Sequence, residues 1–228
     1  MPPIVIARSP VRGTRRRGNL GAGSASHLRV ALLVEITRSL TIMLKKSPLA
    51  PEQFPDINDI AGLKMTALQS EERYRGRKDV LIAVLEKGTA SAAVFTQSLT
   101  PGAPVIWSRE VHEGSDARAM IVTAGNANVC TGRRGMENTQ LLAEAVAQRA
   151  AVNADQVFVS STGVIGEQLD ARKIVDSFPD EMADSDPSQD WLAAASAIMT
   201  TDSYPKAAST RIELGGTPVK ISGIAQGS

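Results

Sequence analysis

With 228 residues and 43% hydrophobic composition, the chain can bury a real core and fill one or two domains. Aromatics contribute only 4%, which leaves Ala, Val, Ile and Leu to build that core. A net charge of +1 argues against a nucleic-acid or membrane partner, and the single cysteine, Cys130, excludes an internal disulfide and fits a reducing compartment.

The charge is unevenly spread. Residues 1–46 hold seven arginines and two lysines against one acid, Glu35, a net of +8 that leaves the remainder at −7. This segment reads as a disordered leader with Met43 as the true start; an Arg-rich organelle transit peptide is the alternative. The cytoplasm is therefore the expected compartment, with the mitochondrion as the alternative. Val30–Leu40 is apolar but carries Glu35 and Arg38, and it is too short to span a bilayer.

Residues 47–228 read as the folded domain. Ser47–Asp59 is an extended, Pro-rich lead-in. Asp79–Glu86 predicts a buried strand, and Ser91–Thr96 is expected to pair with it as a hairpin across Lys87-Gly88-Thr89. Arg118–Thr123 predicts a third strand running into an Ala-Gly-Asn loop. Met136–Val152 places Leu141, Leu142, Ala145, Val146 and Ala150 at helical spacing with no proline. Val157–Ser160 predicts a strand that ends in a small-residue elbow. Leu169–Phe178 fits a short helix stopped by Pro179. Asp186-Pro187 predicts the start of another helix running through Trp191, Ala195 and Ile198. Arg211–Leu214 and Pro218–Ile221 flank Gly215-Gly216-Thr217, a hairpin signature. Strands and helices alternate irregularly, so the expected class is mixed α/β.

Three segments hold candidate chemistry. At the end of the Val157 strand, the Thr162 hydroxyl and the Gly163 N–H are able to donate to one oxygen, as an oxyanion hole requires; a plain strand-to-helix turn uses the same residue types. Thr123-Ala-Gly-Asn-Ala-Asn-Val-Cys-Thr-Gly132 carries Asn126 and Asn128, for which bonding to the local backbone or a left-handed conformation is the favoured role. Within it, Cys130 reads as a small buried thiol in a packed loop, with a Cys130–His112 nucleophile pair as the alternative. Thr200-Thr201-Asp202 follows a helix end, where such residues cap or turn the chain. Gly163 and Gly166 fall short of a nucleotide-binding fingerprint, and no cluster has metal-ligand spacing.

In this order, the Thr123–Gly132, Gln156–Gly166 and Met199–Lys206 segments resemble the bifunctional ornithine acetyltransferase/N-acetylglutamate synthase family of arginine biosynthesis. The resemblance runs from about Ser47 to Ser228. It implies an autoprocessing, N-terminal-nucleophile-like fold with stacked sheets between helix layers, and the α chain of an α₂β₂ assembly. It also implies transfer of an acetyl group from N-acetylornithine to glutamate through an acetyl-threonine intermediate. No cofactor is implied beyond acetyl-CoA, which some members use as donor. Carried over, Thr162 and Gly163 form the oxyanion hole, and Thr200, with Thr201 as the alternative, holds the substrate amino acid. The C-terminal Gly223-Ile-Ala-Gln-Gly matches a family segment with lysine where this chain has Gln226. An amide there binds a carboxylate without charge, a loss of roughly 1–3 kcal/mol. On this likeness the nucleophilic threonine belongs to a β chain beyond Ser228, and the sequence corresponds to a truncated α chain expected to be inactive alone. The alternatives are a self-cleaving aminopeptidase relative, or an inactive fragment or paralogue.

Overall fold

The structure is a computed structural model that describes residues 4–5, 46–114, 117–180 and 189–227. Its centre is a four-stranded sheet of β1 (Leu63–Leu68), β2 (Val80–Leu85), β3 (Ala119–Asn126) and β4 (Val157–Val164), in that order. The β1–β2 and β2–β3 pairs are antiparallel and β3–β4 is parallel. Among the described residues, helices α1 (Ala103–Gly114), α2 (Gly132–Ala150), α3 (Ala171–Asp176) and α4 (Trp191–Ala197) surround it. A separate hairpin of β5 (Lys206–Leu214) and β6 (Thr217–Ala225) follows.

Register explains the packing. Val80, Ile82, Ala119, Ile121, Val157 and Val159 share one face, as the pairs Ile82↔Ile121 and Ile121↔Val159 require. That face packs on Leu142 and Val146 of α2 and Ile174 of α3. The opposite face presents Leu81, Leu85 and Phe158 to Trp191, Ala194 and Ile198, with Ile224 of the hairpin beside them. Because both faces are covered, β2 is apolar throughout instead of alternating.

The exposed edge of β4 is closed by α1. Ser108 donates its hydroxyl to the Val159 carbonyl at 2.7 Å and accepts from the Val159 N–H at 3.0 Å; the Trp107 indole donates to the Val157 carbonyl at 2.9 Å. Side chains thus satisfy backbone groups that a neighbouring strand would otherwise take.

The expected hairpin of Asp79–Glu86 with Ser91–Thr96 does not form. Both edges of β2 are occupied, by β1 and β3, so residues 91–96 have no partner there; among the described residues Ser91–Ala92 pair with Ile4–Val5, in parallel. The strand expected to stop at Ser160 continues to Val164, because Thr162 and Gly163 pair with Ala124 and Gly125, which lengthens β3 equally. The helix expected over Leu169–Phe178 is shorter, capped by Asp170 accepting from the Lys173 N–H. Asp186-Pro187 lies outside the described residues; α4 begins at Trp191, with the Asp190 side chain capping Ala193. The β5–β6 turn is as expected: Gly215 and Gly216 take φ of +56° and +80°, the two left-handed positions a tight hairpin needs. Residues 1–46 are described only at Ile4, Val5 and Lys46.

Candidate active site

The C-terminal end of β4, the turn after α4 and the end of β6 meet in one polar cluster. Thr162 shares a sheet face with Phe158, the face that the hairpin and α4 cover. Its Oγ1 donates to Gln226 Oε1 at 3.4 Å. Gln226 Nε2 in turn donates to Thr200 Oγ1 at 3.0 Å and to Asp202 Oδ2 at 3.4 Å. Thr162, Thr200 and Gln226, separated by up to 64 positions in sequence, therefore form one hydrogen-bonded chain. Gly163 adjoins it on β4 but is exposed, on the opposite side of the strand.

Gly163 has a packing role of its own. At φ +135°, a Cβ would come within 2.2 Å of the Gly125 carbonyl carbon, so the close approach of β3 and β4 here admits only glycine.

Asp202 is the buried charge of the cluster, 4% exposed. Its Oδ1 accepts from Lys206 Nζ at 2.7 Å and from the Gly227 N–H at 2.8 Å, and its Oδ2 accepts from the Thr200 N–H at 3.0 Å. Burial pushes this carboxyl up, but the Lys206 bond, the Gly227 and Thr200 N–H groups and the Lys206 charge outweigh it and bring it below its ordinary value. Lys206 also sits 4.5 Å over the Tyr204 ring. Sequence reasoning gave Asp202 a turn role and Lys206 none; the visible signal was their i, i+4 spacing within the Thr200–Lys206 motif. Arg77 braces the same turn by donating to the Met199 carbonyl while lying 4.2 Å over the Tyr74 ring. Beside it opens a hollow of about 500 Å³, lined by Arg77, Asp190, Leu192, Ser196 and Met199 among others.

The asparagine loop is structural, as favoured. Asn126 and Asn128 are 2% and 0% exposed. Asn126 accepts from the Asn128 N–H and donates to the Glu167 carbonyl; Asn128 donates to the Gly135 carbonyl and Thr139 and accepts from Thr131. Asn128 also takes a left-handed φ of +49°. The expectation for Cys130 fails: the thiol is exposed, because a left-handed φ of +60° turns the residue outward at the start of α2 while Asn128 and Thr131 fill the interior. His112 lies between Phe95 and Phe158, with ring centroids 6.0 and 6.4 Å away, and no hydrogen bond joins it to Cys130 among the described residues. No cluster of His, Cys, Asp and Glu fit to hold a metal exists among the described residues.

Sheet, helices and hairpin thus make a mixed α/β domain with a polar cluster where three elements end. The ArgJ family pattern matches residues 64–228, and the chain belongs to that family. The arginine biosynthesis bifunctional protein ArgJ of Bradyrhizobium diazoefficiens is 46% identical over 182 residues, covering 80% of this chain and 44% of that protein. Its counterpart in Gluconobacter oxydans is 44% identical over 192 residues, covering 84% and 45%. The chain spans less than half the length of these relatives. The crystal structure of ArgJ from Bacillus halodurans superposes with a TM-score of 0.64 at 31% identity, over 74% of this chain and 87% of that one. Ornithine acetyltransferase from Mycobacterium tuberculosis, complexed with ornithine, gives 0.63 at 30% identity, over 74% and 89%. These likenesses bear out the expected N-terminal-nucleophile-like α/β class.

Proposed function

We propose that this chain supplies the oxyanion-binding and substrate-holding half of an acetyltransferase of arginine biosynthesis, moving acetyl from N-acetylornithine to glutamate. The observation that carries the reading is the convergence of Thr162, Thr200 and Gln226 in one cluster. The nucleophile is a threonine heading a β chain cut from the same precursor, in an α₂β₂ assembly. Its hydroxyl attacks the acetyl carbonyl, the freed α-amine acting as base, and negative charge gathers on the carbonyl oxygen. The Thr162 hydroxyl and the Gly163 N–H stabilise that oxygen. Collapse expels ornithine, whose amine takes up the proton and leaves an acetyl ester on threonine. The glutamate amine then attacks the ester through a second oxyanion at the same donors. Collapse breaks the bond to the threonine oxygen, which takes up the proton the amine loses by way of the α-amine, and N-acetylglutamate departs from the restored threonine. Thr200 and Gln226 hold the amino-acid part in both half-reactions. Acetyl-CoA is a second acetyl donor to be tested in place of N-acetylornithine. The same reading puts the protein in the cytoplasm.

The test is acetyl transfer by the chain co-expressed with the family's remaining length. Parallel double-reciprocal plots with N-acetylornithine and glutamate are expected, as ping-pong transfer requires. Peptide hydrolysis without transfer to glutamate would overturn the reading in favour of an aminopeptidase.

A further inference from the structure

We infer that Asp202 is the positioning residue of this site: one buried carboxylate fixes the Thr200 turn, the end of the hairpin and, through Gln226, the direction of the Thr162 hydroxyl. The inference rests on the proposed roles of Thr162, Thr200 and Gln226, but its geometric part stands without them.

The hairpin ladder explains why an anchor is needed. Its last pair is Lys206↔Ala225. The residue just before β5 is Pro205, which has no N–H to offer, so the ladder ends there. Beyond it, Gly227 donates to Asp202 Oδ1 instead of to a strand. The other donors arrive from different elements: the Thr200 N–H from the turn after α4, Lys206 Nζ from the start of β5, and Gln226 Nε2 from the end of β6. A carboxylate has about four acceptor positions, and here four donors approach it.

Asp202 also sets the orientation of Gln226. An amide has one acceptor end and one donor end, and its oxygen would repel Asp202 Oδ2. Nε2 therefore faces Asp202 and Thr200, and Oε1 faces Thr162. Oε1 can only accept, so the Thr162 proton points toward the cluster. The carboxylate acts on Thr162 through Gln226 without touching it.

The first measurement is amide hydrogen exchange on the 228-residue chain. In Asp202→Asn, the Gly227 and Thr200 amides should exchange roughly 10- to 100-fold faster, the equivalent of one charge-assisted hydrogen bond each. The Ile121 and Val159 amides in the sheet should keep their protection. Unchanged Gly227 and Thr200, or equal loss in the sheet, overturns the inference. If Asp202→Asn does not fold, Lys206→Met decides: it leaves the carboxylate and both N–H donors, so Gly227 and Thr200 should stay within about threefold of wild type. A larger rise would make Lys206, not Asp202, the anchor and overturn the inference.

The second measurement is a double-mutant cycle on kcat in the co-expressed, transfer-competent protein. Acting through Gln226, Asp202→Asn should cost about tenfold in wild type and little in Thr162→Ala. Equal costs in both backgrounds would show that Asp202 does not act on Thr162. Absence of transfer by wild type sinks the proposed function alone, and the exchange result still judges the anchor.

Discussion

The Thr162–Gln226 contact, at 3.4 Å, is near the limit of a hydrogen bond. A bond that long orients the Thr162 hydroxyl in the resting site, yet is exchanged at little cost for a developing oxyanion, the stronger acceptor. Thr162→Ala should then lower kcat by roughly 10²–10³ while KM changes little; a normal kcat would remove Thr162 from the oxyanion hole. Gln226→Lys makes a different prediction. A lysine keeps the donors toward Thr200 and Asp202, adds a charge for a substrate carboxylate, and loses the acceptor that holds Thr162. It should chiefly lower KM for the amino-acid substrate, since that contact exists in ground and transition states alike; an unchanged or higher KM would show that a carboxylate is bound elsewhere. Asp79 is a buried acid of opposite character. Burial raises its pKa, against the Ser70 N–H and hydroxyl and the Arg77 charge, which lower it. A raised carboxyl pKa means that the folded state binds the proton more tightly, so the contribution to stability is full below the unfolded pKa and lost as pH rises through the folded one. In Asp79→Asn the Ser70 hydroxyl can reverse to accept from the amide. This variant should melt at or above wild type near neutral pH, and the difference should shrink as pH falls through the raised folded pKa and be closed below about 4. A variant that melts lower at neutral pH would show that the Ser70 bonds outweigh burial. None of these roles was legible from residue type alone. Thr162, Thr200 and Gln226 were found through a resemblance, and Asp202 could be valued only once folding had brought four donors to it.

At the scale of elements, legibility followed the range of the interactions involved. Helix α2 shows in sequence because its buried Leu142, Val146 and Ala150 repeat at helical spacing. The β5–β6 hairpin shows because a Gly-Gly turn fixes its own geometry. Strand β1 carries only a short alternation of Leu63, Met65 and Ala67, too brief to stand out from the extended lead-in before it. Helix α1 carries Pro104 in its first turn, a position that tolerates proline but conceals the helix in a sequence read for breakers. The Lys87-Gly88-Thr89 signal misled because a local turn cannot reveal that β2 already has a strand on each side. What α1 does for β4 is also non-local and can be tested. Ser108 bonds both backbone groups of Val159 across 51 positions. Ser108→Ala leaves a buried N–H and a buried carbonyl without their partner and should cost about 1–3 kcal/mol in chemical denaturation. A cost below about 0.5 kcal/mol would mean that water replaces the hydroxyl and that α1 does not seal this edge.

Across the whole molecule, the core of the described residues is built from the lead-in onward. The first strand of the four-stranded sheet starts at Leu63, the match to the family at Lys64, and among the described residues from Lys46 on the chain first reaches across the domain where the Ser47 N–H donates to Ser203 Oγ at 3.2 Å. Asn58 ties the lead-in to the hairpin, donating to Ser209 Oγ and accepting from the Ser222 hydroxyl through its carbonyl. The lead-in from Ser47 therefore belongs to the domain by its contacts. Of the basic leader, the described residues Ile4–Val5 pair in parallel with Ser91–Ala92 in a two-residue ladder separate from the four-stranded sheet. Two residues of ladder add little against the entropy of fixing them. We expect a chain starting at Met43 to keep the thermal transition of the full chain within about 2 °C, less than the shift that roughly 1 kcal/mol produces in a domain of this size. A fall of several degrees would show that residues before Met43 pack on the domain, and the sequence-based reading of this segment as a disordered leader would have to be abandoned.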